Sequence, residues 1–162
     1  MLLWRIEYSQ HLEDCLTGQG ARRHGGRWNR KGTAVVYFSS SLSLAAFEKF
    51  VHAQPMDKDI ALYAVSVEAS DDVVKRGARP KPLPHGWRSP ELDMETMQWG
   101  SDWATSKESL AALVPSTLLP LECFEHTAEF NVILNPEHVG MKQARVLGRI
   151  PYAFDPRIWK GA

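Results

Sequence analysis

Short stretches in which apolar and polar residues alternate, or apolar residues run together, predict most of the strands in this chain. In the segment 33–39, TAVVYFS, the alternation puts Val35, Tyr37 and Ser39 on one side of a strand. The opening MLLWRIEY and the run IALYAVSVEA at 60–69 predict two more strands. Further strands are expected around Ser116, at 131–134 and at 145–154.

A helical spacing begins directly after the segment 33–39. Ser41 or Ser43 would cap this helix, because a serine oxygen accepts hydrogen bonds from first-turn amides. Residues three and four apart return to one side of a helix, and here that side contains a carboxylate, Glu48. The predicted apolar face consists of Leu44, Phe47, Glu48 and Val51.

The carboxylate of Glu48 needs a reason to lie on an apolar face. Burying an ionised side chain without a partner is costly, so Glu48 is either a structural acid held by Arg27 or Arg5, or a group kept for chemistry. The two interpretations are compatible. Tyr37 could converge with Glu48 if the helix folds back over the preceding strand.

The order of the remaining elements indicates the fold class. The run RPKPLPHGWRSP at 79–90 holds four prolines, which must make it irregular, and we interpret it as a long surface loop. A helix is expected over 92–106, with Leu92, Trp99 and Trp103 near one face. The chain lacks the regular strand–helix alternation of a doubly wound sheet, so we predict an α+β fold with mixed or antiparallel sheets and flanking helices. Residues 1–162 form a single domain in this interpretation.

Composition and charge exclude some classes of protein. The 162 residues are 44% hydrophobic, and 19 basic residues balance 19 acidic ones. That balance disfavours a protein built to coat nucleic acid, so no direct nucleic-acid binding is expected. Cys15 and Cys123 are the only cysteines, the start of the chain lacks a secretion-like pattern, and no apolar run approaches about 20 residues. We therefore expect a soluble, cytoplasmic protein.

Several familiar site types are missing from the sequence. Cys123 and His126 have a metal-like spacing, yet no second pair completes a zinc site, and we predict no metal. A G-x-S-x-G nucleophile elbow is absent. Neither G-x-G-x-x-G nor the Walker-type glycine loop occurs, so any bound dinucleotide is held without those motifs.

The turn GGRWN is a candidate for binding an anion. Gly25 and Gly26 permit close backbone approach and unusual dihedral angles, which would let Arg27 meet a pyrophosphate or a ribose held against the turn. A plain structural alternative is that Arg27 pairs with an acid on a neighbouring loop.

Taken in order, these segments resemble the RES domain, the toxin component of bacterial type II toxin–antitoxin pairs. GGRWN resembles the family's arginine motif, VVYFSSSLSLAAFE its strand and glutamate helix, and LVPS, which ends in Ser116, its serine motif. QWGSDW, FNVILNPEH and FDPR around Asp155 extend the resemblance over nearly the whole chain. It implies an ADP-ribosyltransferase-like fold that binds NAD and cleaves its bond to nicotinamide.

The resemblance also implies roles for individual residues. Arg27 would contact the NAD phosphates or a nearby ribose, and the ring of Tyr37 would stack on nicotinamide. Ser116 would bind NAD through its hydroxyl rather than act as a nucleophile. Arg5, on the first strand, is a further candidate for NAD contact. Asn131 and Asn135 are expected to support the structure or to lie just behind the residues that contact NAD. The expected catalytic residues are Arg27, Tyr37, Glu48 and Ser116.

Glu48 would carry the chemistry in this interpretation. Cleavage of the nicotinamide bond develops positive charge on the ribose, and a fixed carboxylate stabilises such a transition state more than the ground state. Glu48 could also bind a ribose hydroxyl or take a proton from the acceptor. Nicotinamide is a good leaving group, so no separate general acid is needed, and no cofactor is expected beyond NAD as the substrate.

Other functions remain open at the level of sequence. The acceptor of the ADP-ribose group could be water or phosphate, which depletes NAD, or a protein, which makes the chain a mono-ADP-ribosyltransferase. A nucleic-acid-binding or ribonuclease toxin could use Trp28 as a stacking platform. A third alternative is a partner-binding domain without activity. The basic cluster of the nucleic-acid alternative is Arg22, Arg23, Arg27, Arg30 and Lys31.

A partner is implied by the family alone. RES proteins usually pair with a helical, DNA-binding antitoxin of the Xre type that covers the active-site entrance. The expected assembly is a hetero-oligomer of toxin and antitoxin.

Overall fold

A six-stranded antiparallel sheet organises the chain in the computed structural model, with strand order β4-β5-β2-β1-β3-β6. The structure describes residues 1–52, 60–126 and 128–159. Residues 158 and 159 are described without their side chains. The strands are Leu2–Tyr8 (β1), Val36–Ser39 (β2), Leu62–Glu68 (β3), Ala111–Val114 (β4), Asn131–Leu134 (β5) and Arg145–Tyr152 (β6).

Helices flank this sheet, which confirms the α+β class. They are Gln19–His24 (α1), Leu42–His52 (α2), Asp71–Lys75 (α3), Met94–Ser106 (α4) and Leu121–Glu125 (α5). Short 3-10 turns occupy 9–11, 139–143 and 156–159. In the described part of the chain, no helix is both long enough and apolar enough to span a bilayer.

Side-chain caps mark where two of the helices begin, and two element boundaries differ from the prediction. Ser41 is the cap of α2, because its Oγ accepts a hydrogen bond from the amide of Leu44 at 3.1 Å. Asp93 caps α4 through the amide of Thr96 at 2.9 Å, so that helix begins later than expected and Leu92 lies outside it. The strand expected around Ser116 ends at Val114 instead.

The sheet has two faces with different coverings. On the back face, Phe38 and Val36 join the largest apolar cluster. On the front face, Tyr37, Ser39 and Asn131 lie between two smaller clusters, one around Trp28 and Trp103 and the other around Ile6 and Ala45. The alternation predicted for 33–39 is confirmed by this division.

The apolar face assigned to α2 was wrong in part. Leu44 is buried as expected, but Phe47 is 61% exposed and Val51 is 51% exposed. The helix instead packs through Leu44 and Ala45, because the small alanine fits against Ile6 of β1. Glu48 therefore lies at the margin of the packed side, half-buried, and not within a sealed stripe.

The proline-rich segment 79–90 is irregular, as predicted, yet it is more than a surface loop. Trp87 is buried against the cluster around Trp28. Just before this segment, Ala78 pairs in parallel with β4: its amide donates to Ala111 at 2.9 Å and its carbonyl accepts from Leu113 at 2.8 Å. This short pairing anchors the segment along the outer edge of β4.

Candidate active site

The arginine turn is a small hairpin. The amide of Gly26 donates to the carbonyl of Asn29 at 2.9 Å, and the amide of Asn29 donates back at 3.2 Å. Arg27 and Trp28 occupy the tip. A Cβ on Gly26 would lie 2.9 Å from the hydroxyl of Tyr37, so only glycine allows the turn to approach the strand this closely.

Backbone carbonyls of the proline-rich segment hold the guanidinium of Arg27. Its Nη1 donates to the carbonyls of Trp87 at 3.1 Å and Ser89 at 2.8 Å. Within the described residues Arg27 forms no ion pair, so the structural alternative of an acid on a neighbouring loop is not observed. A guanidinium oriented by neutral carbonyls keeps its full charge for an anion.

Tyr37 is bound to the arginine turn at its hydroxyl. The hydroxyl accepts from the amide of Trp28 at 3.0 Å and donates to Oδ1 of Asn29 at 2.8 Å. Burial raises the pKa of Tyr37 well above its ordinary value, and the Trp28 amide and the Arg27 charge lower it by less. Tyr37 is therefore a neutral phenol that fixes the turn. Its proposed stacking on nicotinamide stays a prediction.

Asn29 is a residue whose role the sequence analysis missed. It is fully buried, and its amide nitrogen donates to the carbonyls of Ala21, Arg30 and Thr33 at 2.9, 3.1 and 3.0 Å. Its oxygen accepts from Tyr37, so the side chain connects the turn, α1 and β2. The signal was its place in GGRWN, since a buried tyrosine hydroxyl needs a polar partner.

Helix α4 supports the turn from the other side. A Cβ on Gly100 would lie 1.8 Å from the carbonyl oxygen of Trp28, so packing requires a glycine at this position inside α4. The ring of Trp28 is 2% exposed and stands edge-on to Trp99, with centroids 5.5 Å apart. A buried ring cannot stack on bases, which contradicts the use of Trp28 as a nucleic-acid platform.

Glu48 reaches the front face from α2. Nδ2 of Asn131 donates to Oε1 of Glu48 at 2.5 Å, and Oγ of Ser39 donates to Oδ1 of Asn131 at 2.8 Å. Glu48 is half-buried and lies on the same face as Tyr37, so it is neither sealed in packing nor directed to the far side of the sheet. Within the described residues, neither Arg5 nor Arg27 pairs with it.

Ser116 lies at the same end of the sheet as the hydrogen bond between Asn131 and Glu48. It follows Val114, which is opposite Asn131 in the β4–β5 pairing. The side chain is buried, and Oγ accepts from the amide of Leu118 at 3.1 Å. Asn135 follows the last residue of β5 at the opposite end of the sheet, where Nδ2 donates to the carbonyl of Ala104 at 2.7 Å, in keeping with a structural role.

Arg5 lies apart from the other candidates. It is opposite Val65 in the β1–β3 pairing and points to the back face, where its guanidinium is 5.8 Å from the ring centroid of Phe38. Nη1 donates to the carbonyl of Cys15 at 2.9 Å, and Nη2 forms an ion pair with Glu7. The strand alternation thus places Arg5 on the opposite face of the sheet from Tyr37, apart from the other candidates, and its contact with NAD stays a prediction.

The described residues contain no group of three or more His, Cys, Asp or Glu side chains that could hold a metal ion. Two open recesses, of about 570 and 680 Å³, lie around Lys142 and include none of the candidate residues. The candidate site is the strip of front face between the two apolar clusters, around Tyr37, Ser39 and Asn131. It is formed by Arg27, Tyr37, Glu48 and Ser116, with Asn29, Ser39 and Asn131 behind them.

Fold and site together define a class: an α+β protein in which an arginine turn held by backbone carbonyls and a carboxylate held by an asparagine amide lie on one face of an antiparallel sheet. Within that class, the chain belongs to the RES domain family, whose model matches residues 2–155.

Relatives cover the whole chain. It is 37% identical over 161 residues to "Toxin Res" of Yersinia enterocolitica, in an alignment that covers 98% of this chain and 99% of the relative. It is 34% identical over 163 residues to the "Prs ADP-ribosylating toxin" of a Sphingobium species, covering 98% and 97%. A solved chain of the M. tuberculosis MbcT–MbcA toxin–antitoxin complex has the same fold, with a TM-score of 0.70, 18% identity, and coverage of 98% and 86%.

Proposed function

We propose that this chain is a toxin that cleaves the N-glycosidic bond between nicotinamide and ribose in NAD. The observation that carries the proposal is the carboxylate of Glu48, held at 2.5 Å by a neutral amide on the face that also carries Tyr37 and the arginine turn. No ion pair among the described residues involves this carboxylate, so none of them offsets its negative charge before a substrate binds. The toxin names of the relatives support the same biological role.

The proposed reaction uses few groups. The bond from ribose C1′ to the nicotinamide nitrogen breaks, and the electron pair leaves with nicotinamide as a neutral molecule. Glu48 stabilises the positive charge that develops on the ribose, and an acceptor oxygen attacks C1′. The acceptor loses its proton to Glu48 or to solvent. Arg27 holds the pyrophosphate. Contact of NAD with the hydroxyl of Ser116, which is 3% exposed, requires the segment around Leu118 to move aside.

The test is product analysis by mass spectrometry, with purified protein and NAD, in the presence and absence of inorganic phosphate. We expect nicotinamide release, together with ADP-ribose in water or ADP-ribose 1″-phosphate with phosphate. Glu48→Gln should reduce kcat at least about 100-fold, because it removes the charge that stabilises the transition state. Arg27→Ala should mainly raise KM.

The exposed Arg23→Ala is the matched control for Arg27→Ala, since it removes a guanidinium from the neighbouring helix α1. It should leave both constants close to those of the wild type. Unchanged NAD after prolonged incubation at micromolar protein, with both small acceptors present, would refute glycosidic cleavage to free products.

A second candidate is mono-ADP-ribosylation of a protein. The observation that favours it is the 34% identity to a relative named an ADP-ribosylating toxin. In this case ADP-ribose from labelled NAD becomes attached to a protein in a bacterial extract, and nicotinamide is still released. Attachment that disappears with Glu48→Gln, while free ADP-ribose stays negligible, would favour transfer over depletion.

We also propose a cognate antitoxin of the Xre type, which would bind the chain in a cytoplasmic hetero-oligomer. The structural neighbour comes from a toxin–antitoxin complex. On this chain, the exposed Phe47 and Val51 flank Glu48 along α2 and offer an apolar surface beside the site. Co-expression with an Xre-type protein encoded by an adjacent gene should give a complex that co-purifies and in which NAD cleavage is suppressed. Separate elution at micromolar concentration would contradict it.

A further inference from the structure

We infer that Asn131 is a positioning residue for Glu48, and that Ser39 in turn orients Asn131. This inference rests on the proposed function, in which Glu48 is the catalytic carboxylate. It assigns a role in turnover to an amide that need not touch NAD.

The hydrogen bonds determine which way the amide of Asn131 points. A carboxylate only accepts hydrogen bonds when ionised, so the atom facing Oε1 of Glu48 must be Nδ2. This leaves Oδ1 to accept from Oγ of Ser39 at 2.8 Å. A flipped amide would bring two acceptor oxygens together, so the chain Ser39–Asn131–Glu48 has one favourable arrangement.

The scaffold behind this chain is regular backbone. Ser39 and Asn131 are directly opposite each other in the β2–β5 pairing, and Ser39 is also opposite Trp4 of β1. Ser39 is 3% exposed, so its hydroxyl is shielded from competition by bulk water. Sites built on strands keep their geometry better than sites on loops. Asn131 thus holds the carboxylate of Glu48, at the end of a long side chain, in a fixed position relative to the sheet.

The chemical nature of the partner also matters. An arginine or lysine at 2.5 Å would orient Glu48 and at the same time offset its charge. The amide of Asn131 orients the carboxylate through a charge-assisted hydrogen bond without neutralising it. The developing positive charge on ribose would therefore meet a full negative charge in a fixed place.

The experiment replaces Asn131 by aspartate, which has the same shape but no amide donor. Because the new carboxylate would present an acceptor to Glu48, we expect Asn131→Asp to lower kcat for NAD cleavage about 100-fold while KM changes less than about threefold. Ser39→Ala leaves the amide in place without its anchor and should lower kcat by about three- to tenfold. Gln143→Glu, the same amide-to-carboxylate exchange at an exposed 3-10 turn, is the matched control and should keep kcat.

A stability measurement separates this inference from the proposed function. Asn131→Asp should lower Tm by several degrees, roughly 4 °C or more. Adding Glu48→Gln supplies an amide at position 48 that can donate to the new carboxylate at position 131, the reverse of the wild-type hydrogen bond. The double variant should therefore recover at least half of the lost Tm while remaining inactive. This readout needs no NAD activity.

The outcomes are distinct. If wild type does not cleave NAD, the proposed function fails, and the melting temperatures alone decide whether the pair exists. If the double variant shows no recovery, the Asn131–Glu48 contact is refuted. If Asn131→Asp keeps wild-type kcat, or raises KM instead of lowering kcat, the positioning role is overturned even where the contact holds.

Discussion

At the scale of single residues, neutral hydrogen-bonding groups orient the charged groups of the site. Carbonyls of Trp87 and Ser89 hold Arg27, and an amide holds Glu48. A neutral partner restricts the geometry of a charge and leaves its field available to a substrate, whereas a salt bridge would offset it. Tyr37, which burial keeps neutral, is held between the amide of Trp28 and Oδ1 of Asn29.

Tyr37→Phe tests the structural part of this arrangement. The change leaves the amide of Trp28 and Oδ1 of Asn29 without their hydroxyl partner, and should cost about 1–3 kcal/mol of unfolding free energy at pH 7. Equilibrium urea unfolding of both proteins gives this difference. A loss below about 0.5 kcal/mol would mean that water satisfies both groups after the change.

The pH dependence of the same pair of proteins gives a second test of Tyr37. Because folding raises the pKa of Tyr37, the unfolded phenol ionises first, near pH 10. The stabilisation is fully present below that pH and is lost above it, at about 1.4 kcal/mol per pH unit for this group. Wild type should therefore lose more stability than Tyr37→Phe between pH 10 and 11. Parallel curves would contradict a raised Tyr37 pKa.

At the scale of elements, the arginine turn is packed between β2 and α4 so closely that there is no space between their atoms for an additional methyl group. Gly26 faces Tyr37 and Gly100 faces the backbone of Trp28, and neither position has room for a methyl group. The Asn29 side chain closes the third side, toward α1. Element packing, and not the turn alone, therefore determines where Arg27 stands.

Gly100→Ala and Gly20→Ala form a matched pair for this packing. Gly100 lies inside α4 and Gly20 in the first turn of α1, and alanine normally stabilises a helical position by about 0.5–1 kcal/mol relative to glycine. Gly20 has no atom within 4 Å of a new Cβ, so we expect that gain. At Gly100 the methyl would overlap the carbonyl of Trp28, so we expect a loss of about 3 kcal/mol or more, and a raised KM for NAD as Arg27 moves. Thermal melting and NAD kinetics measure both effects, and equal stabilisation of the two variants would disprove the close crossing.

At the scale of the whole molecule, the candidate site and the largest apolar cluster lie on opposite faces of the sheet. The front face carries the candidate site between its two small apolar clusters, and the back face carries the largest cluster. The ion pair of Arg5 with Glu7 lies on the back face, with Glu7 7% exposed. Arg5 should therefore contribute to folding without contributing to NAD binding.

Arg5→Met tests this separation. It leaves the carboxylate of Glu7 buried without its partner, so unfolding free energy should fall by about 2 kcal/mol. Adding Glu7→Leu removes the unpaired charge and should restore stability to within about 1 kcal/mol of wild type. KM for NAD, measured on folded protein, should stay within roughly twofold in both variants. A large rise in KM for Arg5→Met would return Arg5 to the binding site.

Local spacing determined much of this protein before any packing is considered. Alternation in 33–39 places Tyr37 and Ser39 on one side of a strand, and Ser41 caps the start of α2, because backbone periodicity and end-capping act within a few residues. Tertiary structure decided the rest. Helical spacing groups Phe47 and Glu48 but cannot say which side of the helix packs, and strand alternation cannot say whether Arg5 shares a face with Tyr37. Those answers come from register and close contact between distant segments, such as Ser39 opposite Asn131, which no local pattern encodes.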